Sequence, residues 1–213
     1  MPSISAEDAP RLKPYMKLAE QLGSFAGQIA DGAYASVSIE YEGTVAELNT
    51  KPLTALILAN LLQSQLENVN FVNAFSIAEA RGMSVRESHM GSSKDWRSVI
   101  NLYVATDTRT FNVTGTLFTG KEPRIVNIEG VPVEAALSSH MLFIRNNDTP
   151  GVVGRVGTLL GDAGQNIADF RLGRQEGKNK AVCLVSLDQA LPDAVFSAIA
   201  SLPQIESAVR LRF

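Results

Sequence analysis

Apolar residues along this chain recur with two different periods, and the changes between them mark its elements. Leu12, Tyr15, Met16, Ala19, Leu22, Phe25, Ala26 and Ile29 return every three or four residues, which predicts a long amphipathic helix ended by Asp31-Gly32. Ser5 with Asp8 resembles a capping box in front of it. Pro14 lies inside the pattern, where it withdraws a backbone donor, so a kink or a late start is expected. Val37, Ile39 and Tyr41 alternate with Ser36, Ser38 and Glu40, the period of a half-buried strand, and Glu42-Gly43 follows as a turn. Residues 52–66 form an apolar run too long for most strands and predict a buried helix opening at Pro52. A short helix is expected over 76–81, closed by Gly82. Strands follow near 84–88, 99–105, 110–117 and 124–128, with turns at Asp107, Gly120 and Glu129-Gly130. Residues 1–138 therefore read as one α+β domain.

From residue 139 the order changes. A strand (141–145), a helix (152–162), two strands (167–172 and 180–187) around a polar loop at 175–179, a helix (192–202) and a last strand (205–213) give β-α-β-β-α-β. That is the ferredoxin-like order, so the whole chain is α+β with two domains, 1–138 and 139–213.

The densest chemistry lies in HMLFIRNNDTPGVVGRVGTLLGDAGQNIADFRLGR, residues 140–174. The apolar run from Met141 ends at Asn146, Asn147 and Asp148, a buried strand entering a polar turn. Asp148 is a good N-cap residue, Pro150 suits the first helical position, and Gly151 leaves the backbone bare. Free amides and the positive end of the helix dipole favour a carboxylate. Oxygens of Asn146, Asp148 and, after the next turn, Asn166 are suited to accept hydrogen bonds from an ammonium group. Each piece also has an ordinary structural use, as a helix cap or a helix-ending turn.

Taken together, the strand, D-x-PG, helix, G-x-N-I and second strand resemble the ACT domain, a small module that binds amino acids, and within it the serine-binding ACT domain of D-3-phosphoglycerate dehydrogenases. The resemblance covers 139–213. It implies an effector site for L-serine or another small amino acid built from Asn146, Asp148, Gly151, Asn166 and Ile167, although the family often has His or Tyr where this chain has Asn146. It also implies self-association, with two sheets edge to edge and the ligand at the seam, which removes the liability of an open sheet edge.

The first part resembles the intervening, allosteric substrate-binding domain of the same family through FVNAFSIAEARG (71–82), RSV (97–99) and VTGTLFTGKEPRIVNIEG (113–130). In that resemblance Arg124 falls at a position of a basic anion site. Further basic positions read Ala136 and Ser186, with Lys94, Arg97 and Lys121 as neighbouring substitutes.

Composition narrows the rest. The 213 residues are 45% hydrophobic and 19% charged, enough for two small cores. A net charge of −3 and a pI near 5.5 offer no footprint for nucleic acid or acidic membranes. Cys183 is the single cysteine, so one chain holds no disulfide and no cysteine-ligated metal, and no metal site is expected. There is no run of 18 apolar residues and no signal-peptide pattern, which suggests a cytoplasmic protein.

GVVGRVGTLLG lacks the spacing and strand context of a dinucleotide-binding G-x-G-x-x-G. The two histidines, His89 and His140, stand in no catalytic pattern. The chain thus reads as having no catalytic site and no cofactor of its own. The resemblance implies the regulatory portion of a D-3-phosphoglycerate dehydrogenase whose NAD-binding catalytic domains lie outside it. Two alternatives remain open: the small subunit of an iron-sulfur L-serine dehydratase, whose usual G-P-S-S-S-H stretch is missing here, and a free-standing amino-acid-sensing ACT protein.

Overall fold

A computed structural model describes residues 9–93, 95–175 and 177–213. The Ser5–Asp8 capping box, Lys94 and Glu176 lie outside the described residues. The chain divides into two compact units, Met1–Glu129 and Gly130–Phe213.

In the first unit, helix α1 (Ala9–Ile29) is followed by strand β1 (Tyr34–Gly43), a 3-10 turn (Thr44–Glu47), helices α2 (Lys51–Leu62) and α3 (Ala74–Ala80), and strands β2 (Ser84–Met90), β3 (Ser98–Thr106), β4 (Thr110–Phe118) and β5 (Glu122–Ile128). The strands stand in the order β2-β1-β3-β4-β5, with β1 and β2 parallel and the other pairs antiparallel. Helix α1 runs through Pro14 rather than starting after it. Helix α2 is buried on nearly every side, as its unbroken apolar run requires.

Small residues set the distance between the two long helices. Gly23 and Gly27, one turn apart on α1, face the backbone of α2. A Cβ at Gly23 would fall on the carbonyl oxygen of Ile57, and one at Gly27 would lie 2.8 Å from that of Leu61. Below them, Gly115 of β4 leaves room for Leu18 and Leu22 of α1. The helix layer therefore packs backbone to backbone at these two glycines. Inside it the Tyr41 and Thr54 hydroxyls share a 2.7 Å hydrogen bond, and burial pushes the tyrosine phenol up from its ordinary pKa. At the far end of α1, Arg109 donates to the Ile29 carbonyl (2.6 Å), Asp31 (2.8 Å) and Glu129 (2.7 Å), a cation placed at a helix C-terminus.

The second unit opens with a strand that the apolar pattern does not reveal, β6 (Val131–Ala135), in which Val131, Val133 and Ala135 are buried in alternation. It is short, contains Pro132 and follows a turn, and read from the sequence it has no element of its own and falls within the first domain, 1–138. Gly173 has no side chain because the Pro132 carbonyl and Val131 occupy the space. Then come β7 (Met141–Asn147), α4 (Val152–Asp162), β8 (Ile167–Arg174), β9 (Lys180–Leu187), α5 (Asp193–Ala200) and β10 (Ile205–Leu211). Their sheet order, β10-β7-β9-β8, is all antiparallel and ferredoxin-like, as expected. Leu142, Ile144, Cys183 and Val185 of the sheet pack on Val152, Val156 and Leu160 of α4 and Ile199 of α5.

The glycine contact makes a prediction. Gly23→Ala is expected to destabilise the first unit by roughly 2 kcal/mol or more, the usual range for overpacking. Gly157→Ala, on an open stretch of α4 with no atom within 4 Å of the new methyl, is expected to be neutral or stabilising by up to about 1 kcal/mol. Urea unfolding followed by circular dichroism reads both, and equal midpoints for the two variants would refute the close-packing account.

Candidate functional site

The polar turn after β7 is built differently from its expected form. Helix α4 begins at Val152, capped by the backbone of Gly151 in a left-handed conformation (φ 90°), with no side-chain cap. Asp148 is therefore not the N-cap, and Pro150 is not the first helical residue. The chain needs Thr149, Pro150 and a residue of positive φ to turn from strand to helix, and Gly151 supplies that residue at no steric cost. Asp148 instead accepts a 2.7 Å hydrogen bond from Nε of Arg174 at the end of β8, while its own amide reaches the carbonyl of Asn179.

Asn146 sits one residue before the end of β7, on the face covered by α4, and only 3% of its surface is exposed. Its Nδ2 donates to the Asn147 carbonyl (2.8 Å), and its Oδ1 lies 3.6 Å from Sγ of Cys183. Burial pushes the Cys183 thiol up to about 12, so it is a packing group and not a nucleophile. Gly151 completes this cluster. Beside it stands the cation Arg155, whose Nη2 lies 3.3 Å from where a Gly151 Cβ would be. A cavity of about 520 Å3 is lined by Asp148, Arg174, Gln175, Gly177, Lys178 and Asn179.

Asn166 and Ile167 are elsewhere. Asn146 and Arg174 both flank Ala181 of β9, whereas Ile167 lies opposite Leu187. Six residues of strand separate these positions, ~20 Å at about 3.3 Å per residue. Exposed Asn166 donates its amide to Asp188 (2.6 Å) at that far end, and Ile167 packs into the helix-side core. One copy of the chain thus brings Asn146, Asp148 and Gly151 together and holds Asn166 and Ile167 at the opposite end of the sheet. Arg174 and Lys178 join Asp148 through strand register, a signal that residue spacing alone does not carry.

In the first unit Arg124 of β5 pairs with Glu122 (3.2 Å) and lies over the Phe118 ring, while its Nε is buried without a hydrogen-bond partner. Arg97 and Lys121 line a separate cleft of about 930 Å3, with Arg11, Tyr15, Trp96 and Phe118, and Arg124 does not line it. His89 is held by Thr50 (2.8 Å) and stacks on Tyr41. Among the described residues, no group of three or more His, Cys, Asp or Glu is placed to hold a metal, and no helix is long and apolar enough to cross a membrane.

Comparison with known proteins adds an independent line. The family described as the D-3-phosphoglycerate dehydrogenase intervening domain matches residues 11–129. The chain is 34% identical over 208 residues to D-3-phosphoglycerate dehydrogenase of Bacillus subtilis, covering 97% of this chain and 40% of that protein. The corresponding protein of Synechocystis is 33% identical over 214 residues (100% and 39%), and that of Methanocaldococcus jannaschii 35% over 207 (97% and 39%). The chain therefore spans about two fifths of the length of these relatives.

The turn geometry separates Asp148 from Gly151 in their effects on stability. Asp148→Ala removes one surface ion pair and no cap, and is expected to cost less than about 1 kcal/mol. Gly151→Ala forces a side chain into the left-handed region and is expected to cost roughly 1–2 kcal/mol. Thermal unfolding of both variants checks the order, and a larger loss for Asp148→Ala would restore the capping role.

Proposed function

We infer from the chain's membership of the D-3-phosphoglycerate dehydrogenase family, in which it forms a C-terminal regulatory region, that its second unit is an ACT-type sensor for a small amino acid, L-serine first among them. The NAD-dependent catalytic domains of the parent enzyme are the partner on which such a sensor acts. Serine, as the product of the pathway that the enzyme begins, is the effector that feedback control calls for. The ligand regulates only if it binds two arrangements of the subunits with different affinity.

The observation that carries this reading is the separation of the two halves of the site. Strand β8 is an edge strand, and β9 is its ladder partner within the sheet. Antiparallel pairing of two β8 edges about a two-fold axis sets the start of one strand beside the end of the other. Asn166 and Ile167 of one copy then meet Asp148, Gly151 and Arg174 of the next. Such pairing satisfies the free backbone groups of the edge and shelters Leu172, a large apolar side chain 44% exposed on that strand. Asp148 receives the ammonium, Asn166 the hydroxyl, and the cations that share the cavity with Asp148 favour the carboxylate. Asn146, buried beneath the turn, shapes the floor. For Arg124 the reading is narrower: an anion there would have to compete with Glu122 for its guanidinium.

Calorimetric titration with L-serine tests the reading, with D-serine as control. Asp148→Asn and Asn166→Ala are each expected to abolish the L-serine heat. Dissociating and reassociating the two variants together yields mixed dimers with one intact site each, so about a quarter of the wild-type capacity is expected to return. An absence of L-serine heat in the wild-type chain would sink the sensor, and no recovery on mixing would sink the shared site.

A further inference from the structure

We propose that Arg174 is the residue that receives the ligand's carboxylate, so that the Asp148–Arg174 pair reads both charges of an α-amino acid. This rests on the amino-acid reading above and extends it to a residue that motif comparison does not single out. Arg174 gives one of its five donors, Nε, to Asp148 Oδ2 at 2.7 Å. That contact orients the guanidinium and leaves the N–H groups of its two Nη atoms, which meet no acceptor among the described residues. Asp148 in turn keeps Oδ1 for a second donor. Both residues line the same cavity of about 520 Å3. An anion and a cation side by side, each with bonding capacity left, complement the adjacent ammonium and carboxylate of a zwitterion.

Two other cations stand near. Arg155 leans back on the Pro150 carbonyl (3.4 Å), towards the start of α4. Lys178 is a point charge on a flexible stem in the loop after β8, and no side-chain partner among the described residues orients it as Asp148 orients Arg174. The planar fork of Arg174 matches a carboxylate with two parallel hydrogen bonds. Its position also serves the site: Arg174 ends the edge strand β8, where the pairing proposed above would bring Asn166 of a second copy.

The experiment compares L-serine with ethanolamine, which is serine without its carboxylate, by calorimetry on the full chain. Wild-type protein is expected to prefer L-serine by about tenfold or more, the worth of one charge-assisted paired contact. In Arg174→Gln, L-serine is expected to weaken by a similar factor. Ethanolamine should bind as well or better, because a competing cation has left Asp148. In Lys178→Gln the preference is expected to persist. Equal weakening of both ligands in Arg174→Gln would show a structural role and overturn the assignment, as would loss of the preference in Lys178→Gln alone. In those cases wild-type binding of L-serine still stands and the sensor with it. If the wild-type chain binds neither ligand, the sensor fails and Arg174 falls with it.

Discussion

Strand direction is the constraint from which the site follows. Because β7 and β8 both run antiparallel to β9, they run parallel to each other, and their starts and ends collect at opposite edges of the second unit. Every residue after β7 therefore shares an end with every residue after β8, and none shares an end with the turn before β8. Asp148 and Arg174 meet for that reason, and Asn166 is excluded from their company by the same geometry. A ferredoxin-like sheet that uses both turns for one small ligand has to bring in a second sheet. The edge strand offers the way to do so, and the requirement links recognition to association: a ligand held by two copies has an affinity for their arrangement built into its binding. That is the condition for a regulatory effect.

The first unit depends on a different contact of the same kind. Gly23 and Gly27 let α1 lie against the carbonyls of α2, and Gly115 lets it lie on β4. Contacts of this closeness deform poorly, since a methyl group is enough to break them. Arg109 then fixes the exit of α1 to two carboxylates and a carbonyl, with its guanidinium over the Phe111 ring.

Most elements were legible in the sequence because their apolar residues repeat over long enough stretches. The α4 range 152–162 and the β9 range 180–187 agree with the structure, and the strands of the first unit agree to within a few residues. Helix α2 stops at Leu62, short of the expected 66, since beyond it Gln63, Ser64 and Gln65 have no apolar face to continue. The hidden element, β6, is short and holds a proline, so its burial comes from packing near Gly173 and not from propensity. At the site, the residue types were readable and their geometry was not. D-x-P-G looks like a cap followed by a first helical proline. The strand-to-helix turn uses both residues before the helix starts, because the left-handed step falls on Gly151. Arg174 was invisible for another reason. It lies 26 positions from Asp148, and only the register of β8 on β9 and of β9 on β7 makes them neighbours.

Freed from capping, Asp148 has little structural work left. Its ion pair with Arg174 is solvent-exposed on the arginine side, 67% for that side chain, and pairs of this kind add little to folding. The turn is held without it: the Asp148 amide bonds to Asn179, the Thr149 amide to the Asn147 carbonyl, and Gly151 supplies the left-handed step. A carboxylate whose removal is expected to cost the fold little, but which sits in a cavity with an oriented guanidinium, is poorly explained by stability. The proposed sensor gives it a use, since in recognising a charged ligand the same two groups would exchange a weak contact in water for several charge-assisted ones. Sheet register, turn chemistry and weak local energetics thus converge on the same end of the second unit.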